Sequence, residues 1–90
     1  MQFEWDENKN KSNITKHGIN FLFATEIFSD PLAIETDRII GCEERIQIIG
    51  KIEEFVISVV YTIRKSNYRL ISARLASKKE RAQYEQKRTT

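Results

Sequence analysis

The sequence is poor in the residues that form disulfides, bind metals or cradle nucleotides. Its 90 residues include one cysteine, one histidine, one proline and three glycines. Cys42 alone cannot form an internal disulfide, and with His17 it falls short of a four-ligand zinc site. Gly18, Gly41 and Gly50 stand too far apart for a glycine-rich nucleotide-binding loop. We therefore predict no metal and no cofactor, and we exclude Rossmann and P-loop domains.

Long apolar segments are also missing. No run approaches the roughly 20 apolar residues that span a bilayer, and the first six residues lack the basic start and apolar core of an export signal. Hydrophobic residues make up 40 % and charged residues 31 %, which excludes a disordered chain. We expect a single cytoplasmic domain over residues 1–90 that does not contact a membrane, with residues 88–90 as a frayed tail.

The net charge of +2 hides an uneven distribution. Residues 1–44 carry four basic and nine acidic side chains, a balance of −5, whereas residues 45–90 carry eleven basic and four acidic side chains, a balance of +7. A basic half on a small domain indicates either a phosphate-rich or acidic partner, or simply a solvated face.

Capping residues predict two N-terminal helices. The first begins after Asp6 and ends at Gly18, which suits the left-handed position beyond a helix. Asn20 can cap a second helix, which Pro31 would end. Apolar residues recur in that helix at helical spacing, at Phe21, Ala24 and Phe28.

After Pro31 the apolar period changes to that of strands. We predict four strands, at residues 32–36, 45–50, 55–63 and 68–74. Residues 37–44 form a loop or loose hairpin, and the later connections are short enough for antiparallel hairpins. Ser77 and Glu80 fit a capping box that begins a last helix, to about residue 87. The predicted fold is α+β: two N-terminal helices, a four-stranded antiparallel sheet and a C-terminal helix.

Short motifs in this order resemble those of BrnT-like toxins of bacterial type II toxin–antitoxin systems. In the first half they are Phe3-Glu4-Trp5-Asp6-Glu7, Asn13, Lys16-His17-Gly18, Asp30-Pro31, Glu43-Glu44-Arg45 and Ile49-Gly50. In the second half they are Arg69-Leu70-Ile71-Ser72-Ala73-Arg74, Lys79-Glu80-Arg81 and Tyr84-Glu85. Together the motifs span Phe3 to Glu85. The turn at residues 51–54, Lys-Ile-Glu-Glu, departs from the basic or glycine-containing turn usual in the family.

The resemblance implies a compact fold similar to RelE-type ribonucleases. It also implies metal-independent RNA cleavage that inhibits translation and arrests growth. A cognate antitoxin would neutralise the toxin, and the complex would repress its own operon through the DNA-binding part of the antitoxin. The chain would therefore meet operator DNA only indirectly.

Metal-free RNA cleavage needs a base for the 2′-hydroxyl, an acid for the leaving 5′-oxygen and cations for the charged phosphorane. Arginine suits the last role, since its planar fork matches phosphate oxygens. Arg74 is the first candidate because it ends a strand beside the helix bearing Glu80 and Arg81. Strand parity puts Arg69 and Arg74 on opposite sides of the sheet. We predict catalytic roles for Arg74, His17, Arg81, Arg64, Glu80 and Tyr84, and RNA binding by Lys16, Arg45, Arg69, Lys78 and Lys79.

Several of these residues also have purely structural explanations. His17 is the natural acid or base, but a histidine in the last turn of a helix also favours the helix dipole. Glu80 is explained by the capping box without catalysis, and Tyr84 could stack on a base or simply cover the sheet. Arg45 could pair with Glu44 across strands. An alternative function is therefore a non-catalytic basic module that holds an antitoxin and RNA without turnover.

Overall fold

The computed structural model describes the backbone of residues 2–89 and the side chains of residues 2–86. Its strands are β1 (Phe3–Glu4), β2 (Ile34–Ile40), β3 (Glu43–Ile52), β4 (Phe55–Arg64) and β5 (Asn67–Leu75). Its α-helices are α1 (Glu7–His17), α2 (Phe21–Ala24) and α3 (Lys78–Thr89), and a 3-10 helix covers Thr25–Ser29. The side chains of the predicted frayed tail, residues 88–90, lie outside the described part.

The sheet has five strands in the order β1-β5-β4-β3-β2, and β1 runs parallel to β5 while the other pairs are antiparallel. The structure is α+β, but the predicted four-stranded antiparallel sheet is wrong. A strand of two residues is too short to show alternation in the sequence. Tertiary contacts hold it instead: the Tyr68 N–H donates to the Gln2 carbonyl at 2.9 Å, and the Phe3 ring packs on Phe28 and Tyr68.

Helix α1 begins and ends where its caps predict. The Asp6 carboxylate accepts from the Asn8 and Lys9 N–H groups at 2.8 and 3.2 Å. Gly18 has φ 72°, a left-handed conformation that glycine adopts without steric cost. The helix is almost entirely polar, so its attachment to the sheet depends on buried polar contacts rather than on an apolar stripe.

Asn13 makes the principal contact of this kind. Its Nδ2 donates to the carbonyls of Ile19 and Ala73 at 2.9 and 2.8 Å, and its Oδ1 accepts from the Ala73 N–H at 3.1 Å. The Asn13 amide thus pairs with both main-chain groups of Ala73, as a neighbouring strand would. Since β1 pairs only with Tyr68 and Arg69, this amide covers β5 beyond the end of β1.

The second predicted helix is also only partly right. One α-helical turn, α2, follows the Asn20 cap and then tightens into the 3-10 helix. A 3-10 helix has three residues per turn, and the fully buried residues are Phe21, Ala24 and Ile27, three apart. The two N-terminal helices of the prediction are therefore one α-helix followed by a short, mixed helical segment.

Residues 37–44, predicted as a loop or loose hairpin, form a tight hairpin whose two strands take up most of the segment. β2 continues to Ile40 and β3 begins at Glu43, so Gly41 and Cys42 alone form the turn, with φ 64° at Gly41. The prediction failed because β2 is an edge strand whose residues 35–40 are all exposed, which removes the alternation of buried and exposed residues.

The main core lies between the sheet and the N-terminal helical segments, on what we call the α1 face. Ile46, Ile48, Ile57, Val59 and Tyr61 point to this face from the central strands and pack against Phe21, Ala24 and Ile27. On the opposite side, the α3 face, a smaller cluster is formed by Ile49, Ala76 and Tyr84, with Ile34 and Val56 packed against it. Helix α3 covers only part of this face, so the rest of it is available to a ligand.

Candidate active site

The uncovered part of the α3 face holds a groove of about 240 Å³ that we call the arginine groove. Strands β2 to β5 and the first turn of α3 supply its walls. It is lined by Arg38, Ile40, Arg45, Gln47, Val60, Ile71, Ser72, Arg74 and Glu80. Three cations therefore face one concave surface, a charge distribution suited to a phosphate-bearing ligand.

Arg74 and Glu80 form the centre of this groove. The two Nη atoms of Arg74 donate to the two carboxylate oxygens of Glu80, at 2.7 and 2.9 Å. Gln47 Nε2 donates to the same carboxylate at 2.7 Å and to Ser58 Oγ at 2.8 Å. A two-point pair of this kind fixes the plane of the guanidinium as well as its position.

The start of α3 explains why Glu80 lies here. The Ser77 N–H donates to Glu80 Oε1 at 2.8 Å, and the Glu80 N–H donates to Ser77 Oγ at 3.2 Å. This is the reciprocal capping box that the sequence predicts. One carboxylate therefore caps α3 and holds Arg74 at the same time.

Glu80 is ionised throughout the neutral range. The Arg74 hydrogen bonds, helped by the Ser77 N–H and Gln47, outweigh partial burial and lower the pKa of Glu80 to about 2. The same carboxylate raises the pKa of Arg74 above its ordinary value. A carboxylate with so low a pKa is a weak base, and it has no proton to give as an acid at pH 7. The Glu80 carboxylate holds the Arg74 guanidinium in place through both of its oxygens.

A β-bulge overturns the predicted parity of the arginines. Tyr61 pairs with Leu70, but the preceding Val60 pairs with Ser72, so Ile71 is an extra residue on β5. The inserted residue reverses the alternation beyond it. Arg69 and Arg74 consequently lie on the same α3 face, not on opposite sides as predicted.

Three further arginines of the strands, Arg45, Arg64 and Arg69, are held by carboxylates. Arg69 pairs with Glu4 of β1 at 2.7 Å. Arg45 and Arg64 both pair with Glu43, at 3.0 and 3.7 Å, so the carboxylate partner of Arg45 is Glu43 and not the predicted Glu44. The pairs lie on the α3 face and extend the polar surface around the arginine groove.

His17 lies in a second groove, of about 200 Å³, between α1 and the β5 bulge. It is lined by Lys9, Ser12, Asn13, Lys16, His17, Ile71 and Ser72. Ile71 and Ser72 also line the arginine groove, so the bulge forms a wall common to both. His17 and Lys16 therefore lie beside β5, the strand that carries Arg74, and the bulge of β5 separates their groove from the arginine groove.

The family model that describes the ribonuclease toxin BrnT of type II toxin–antitoxin systems matches residues 5–80. The chain belongs to this family. No curated protein matches the sequence. As a BrnT-family toxin it is a ribonuclease toxin of a type II system, which implies an antitoxin protein as partner.

The matched segment ends at Glu80, and two predicted site residues of the toxin lie beyond it. Tyr84 is 1 % exposed, and its hydroxyl donates to Asp30 Oδ2 at 2.6 Å, away from the arginine groove. Arg81 is exposed on α3, as are Lys78 and Lys79 in its first turn. The structure thus gathers Arg74, Glu80 and Arg45 in one groove, and places Tyr84 in the core.

Sequence reasoning missed two side chains of the toxin's groove. Gln47 alternates with Ile46 and Ile48, so its place on the opposite face to the core was visible in the pattern. Arg38 was hidden in the predicted loop at residues 37–44. A polar residue between two buried residues of a strand indicates a side chain on the opposite face, and this signal would have identified Gln47.

Two further observations concern the described residues of the toxin. No three histidine, cysteine, aspartate or glutamate side chains among them are grouped so as to hold a metal ion. None of their helices is both long enough and apolar enough to pass through a lipid bilayer.

Proposed function

We propose that this toxin cleaves RNA without a metal ion, at the arginine groove, and thereby inhibits translation and growth. The observation that carries the proposal is the Arg74 fork, which Glu80 fixes in a groove that Arg38 and Arg45 also line. In the reaction the substrate 2′-oxygen bonds to phosphorus as its proton leaves to a base. The bond to the 5′-oxygen then breaks as that oxygen is protonated, leaving a 2′,3′-cyclic phosphate and a 5′-hydroxyl.

The arginine groove and the groove that holds His17 have different roles in this proposal. Arg74 stabilises the charge that develops on the phosphorane, and Arg45 binds the neighbouring phosphates. His17 moves protons, since imidazole is the side chain that most often serves as a general acid or base. Further basic residues hold the strand on either side: Arg64, Arg69, Arg81, Lys16, Lys78 and Lys79.

The proposal extends to regulation. The antitoxin blocks the arginine groove, and the toxin–antitoxin complex represses its operon through the DNA-binding part of the antitoxin. The support for both statements is the family itself, a toxin defined by its pairing with an antitoxin.

The test is cleavage of labelled RNA in EDTA, with DNA of the same sequence as a second substrate. Arg74→Lys keeps the charge but loses the fork, and we expect cleavage to fall by about 100-fold. Lys11→Ala removes one exposed cation of α1 outside both grooves and serves as the matched control, with unchanged cleavage. DNA should survive because it lacks the 2′-hydroxyl.

One observation favours the alternative of a binding module without turnover. Both Nη atoms of Arg74 are already engaged by Glu80, so a phosphate must compete for them. If RNA stays intact in EDTA, with magnesium and with translating ribosomes, while antitoxin and RNA still bind, the alternative is correct and the catalytic proposal is wrong.

A further inference from the structure

The two edges of the sheet differ in how they are protected. At one edge β1 pairs with the start of β5, and Asn13 then covers the main chain of Ala73. At the other edge lies β2, whose seven residues pair with β3 alone among the described elements. An unpaired edge presents a row of main-chain donors and acceptors to any extended chain.

The hairpin geometry identifies which groups of β2 point outward. Gly41 and Cys42 form a two-residue turn, which places the flanking pair, Ile40 and Glu43, in a hydrogen-bonded position. Hydrogen-bonded and non-bonded pairs alternate along an antiparallel ladder. The N–H and C=O groups of every second residue therefore point away from β3, and these are Glu35, Asp37 and Ile39.

Charged residues are the one usual defence that the edge strand β2 carries; proline, lysine and an irregular register are absent from it. The strand contains no proline and no lysine, and its register with β3 is regular over all seven residues. At its end Ile39 and Ile40 are 78 % and 55 % exposed. Adjacent exposed isoleucines on an open edge favour aggregation of an isolated protein, but they supply apolar contact area to a partner that pairs with the edge.

Charges on β2 are separated by face. Glu35 and Asp37 project on the α1 face, opposite Ile48 and Ile46. Arg38 projects on the α3 face, where it lines the arginine groove and lies opposite Arg45. A strand that fits this edge has basic residues on one side and acidic residues on the other, with an apolar residue near Ile39 and Ile40.

We propose that β2 is the docking edge for the antitoxin, which adds an extended segment to the sheet of the toxin. The family match supplies the class of partner, a type II antitoxin. The segment pairs with the outward groups of Glu35, Asp37 and Ile39, and its acidic side chains reach Arg38 at the mouth of the arginine groove. That this contact inhibits cleavage rests on the proposed function.

A second copy of this chain fits the edge less well. Two β2 strands related by a two-fold axis would form one continuous sheet, with the α1 faces on the same side. When such a pairing is centred on Thr36 or Asp37, a carboxylate of one copy lies directly opposite a carboxylate of the other, and like charges directly opposite are unfavourable. The charge pattern therefore favours a partner of different sequence.

The test separates the main chain of β2 from its side chains. Asp37→Pro removes an outward N–H that β3 does not use, whereas Asp37→Ala removes the carboxylate and keeps that N–H. Titrated with purified cognate antitoxin, Asp37→Pro should bind about tenfold more weakly than Asp37→Ala. Equal affinities of the two variants would overturn the proposal. Thermal unfolding of both variants excludes a folding defect.

Hydrogen exchange supplies an independent readout at the same edge. Amides of Glu35, Asp37 and Ile39 should exchange more slowly in the complex than in the free toxin. Unchanged exchange at all three would refute docking at β2, and protection that rises with toxin concentration alone would assign the edge to a second copy. Neither measurement involves RNA, so a toxin without ribonuclease activity would still give a decisive answer.

Discussion

Glu80 joins three parts of the molecule through one carboxylate. It receives Arg74 from β5, Gln47 from β3 and the Ser77 N–H at the start of α3. Its side chain is 15 % exposed, so its hydrogen bonds are only partly screened by water. The orientation of Arg74 thus depends on a carboxylate at which β3, β5 and the start of α3 meet.

The lowered pKa of Glu80 predicts a specific acid sensitivity. The pKa falls from 4.5 in the unfolded chain to about 2 in the fold, so the stabilisation is fully present above pH 4.5 and is lost as the pH falls to about 2. With a discount for partial exposure we expect a loss of about 2 kcal/mol over that interval. Urea unfolding of the wild type and of Glu80→Gln from pH 2 to pH 7 measures it. If the free energy of unfolding depends on pH equally in both proteins, Glu80 is not the group responsible.

At the scale of elements, α1 is attached through buried asparagine side chains: Asn10 accepts from the Phe21 N–H at 2.8 Å, and Asn13 makes the larger set of contacts. Asn13 is 5 % exposed and makes three hydrogen bonds to the main chain of Ile19 and Ala73. The remaining surface of α1 is mostly polar, so little apolar contact could replace these bonds. Groups buried without partners cost more than the bonds themselves contribute.

Asn13→Ala should therefore destabilise the toxin strongly. It leaves the Ala73 N–H and two carbonyls without a side-chain partner, and we expect the free energy of unfolding to fall by about 3 kcal/mol. Asn8→Ala, on the exposed side of α1, is the matched control and should change it by less than about 0.5 kcal/mol. Denaturant titrations of both variants give the comparison. A small effect at Asn13 would mean that α1 is held by other contacts.

Elements whose ends are set by residues close together in the sequence were predictable from it. Asp6, Gly18 and Ser77 mark helix ends because each satisfies or relieves the backbone at its own position. β1 and the Ile71 bulge were not predictable, since both are defined by pairing with strands distant in the sequence. The site followed the same division: Arg74 and Glu80 came from a local motif, whereas Gln47 joins them only through the register of β3 and β4.

At the scale of the whole molecule, the basic half of the chain is folded onto one surface. The strands and helix that carry it meet on the α3 face, and Arg38 is brought to them from the acidic half by the β2–β3 hairpin. Several cations of the face are paired with carboxylates, so the number of cations overstates the field that an RNA chain meets.

This arrangement predicts how the affinity for RNA depends on salt. If each of the three arginines of the groove contacts one phosphate, together they contribute about −2 to the log–log slope of affinity against salt for single-stranded RNA, and the flanking basic residues add to it. Arg45→Ala should reduce the magnitude of that slope by about 0.7, while Lys11→Ala leaves it unchanged. Fluorescence anisotropy at several salt concentrations measures both. A slope unaffected by Arg45→Ala would place the RNA elsewhere.

The carboxylate shared by the helix cap and the arginine has a thermodynamic consequence. A phosphate that draws Arg74 away from Glu80 removes one of the contacts that orders the start of α3. Coupling free energies are reciprocal. If phosphate binding to Arg74 destabilises the first turn of α3, then a change that destabilises this turn strengthens phosphate binding by the same free energy. The order of the first turn of α3 and the affinity of the arginine groove for phosphate therefore report on the same equilibrium.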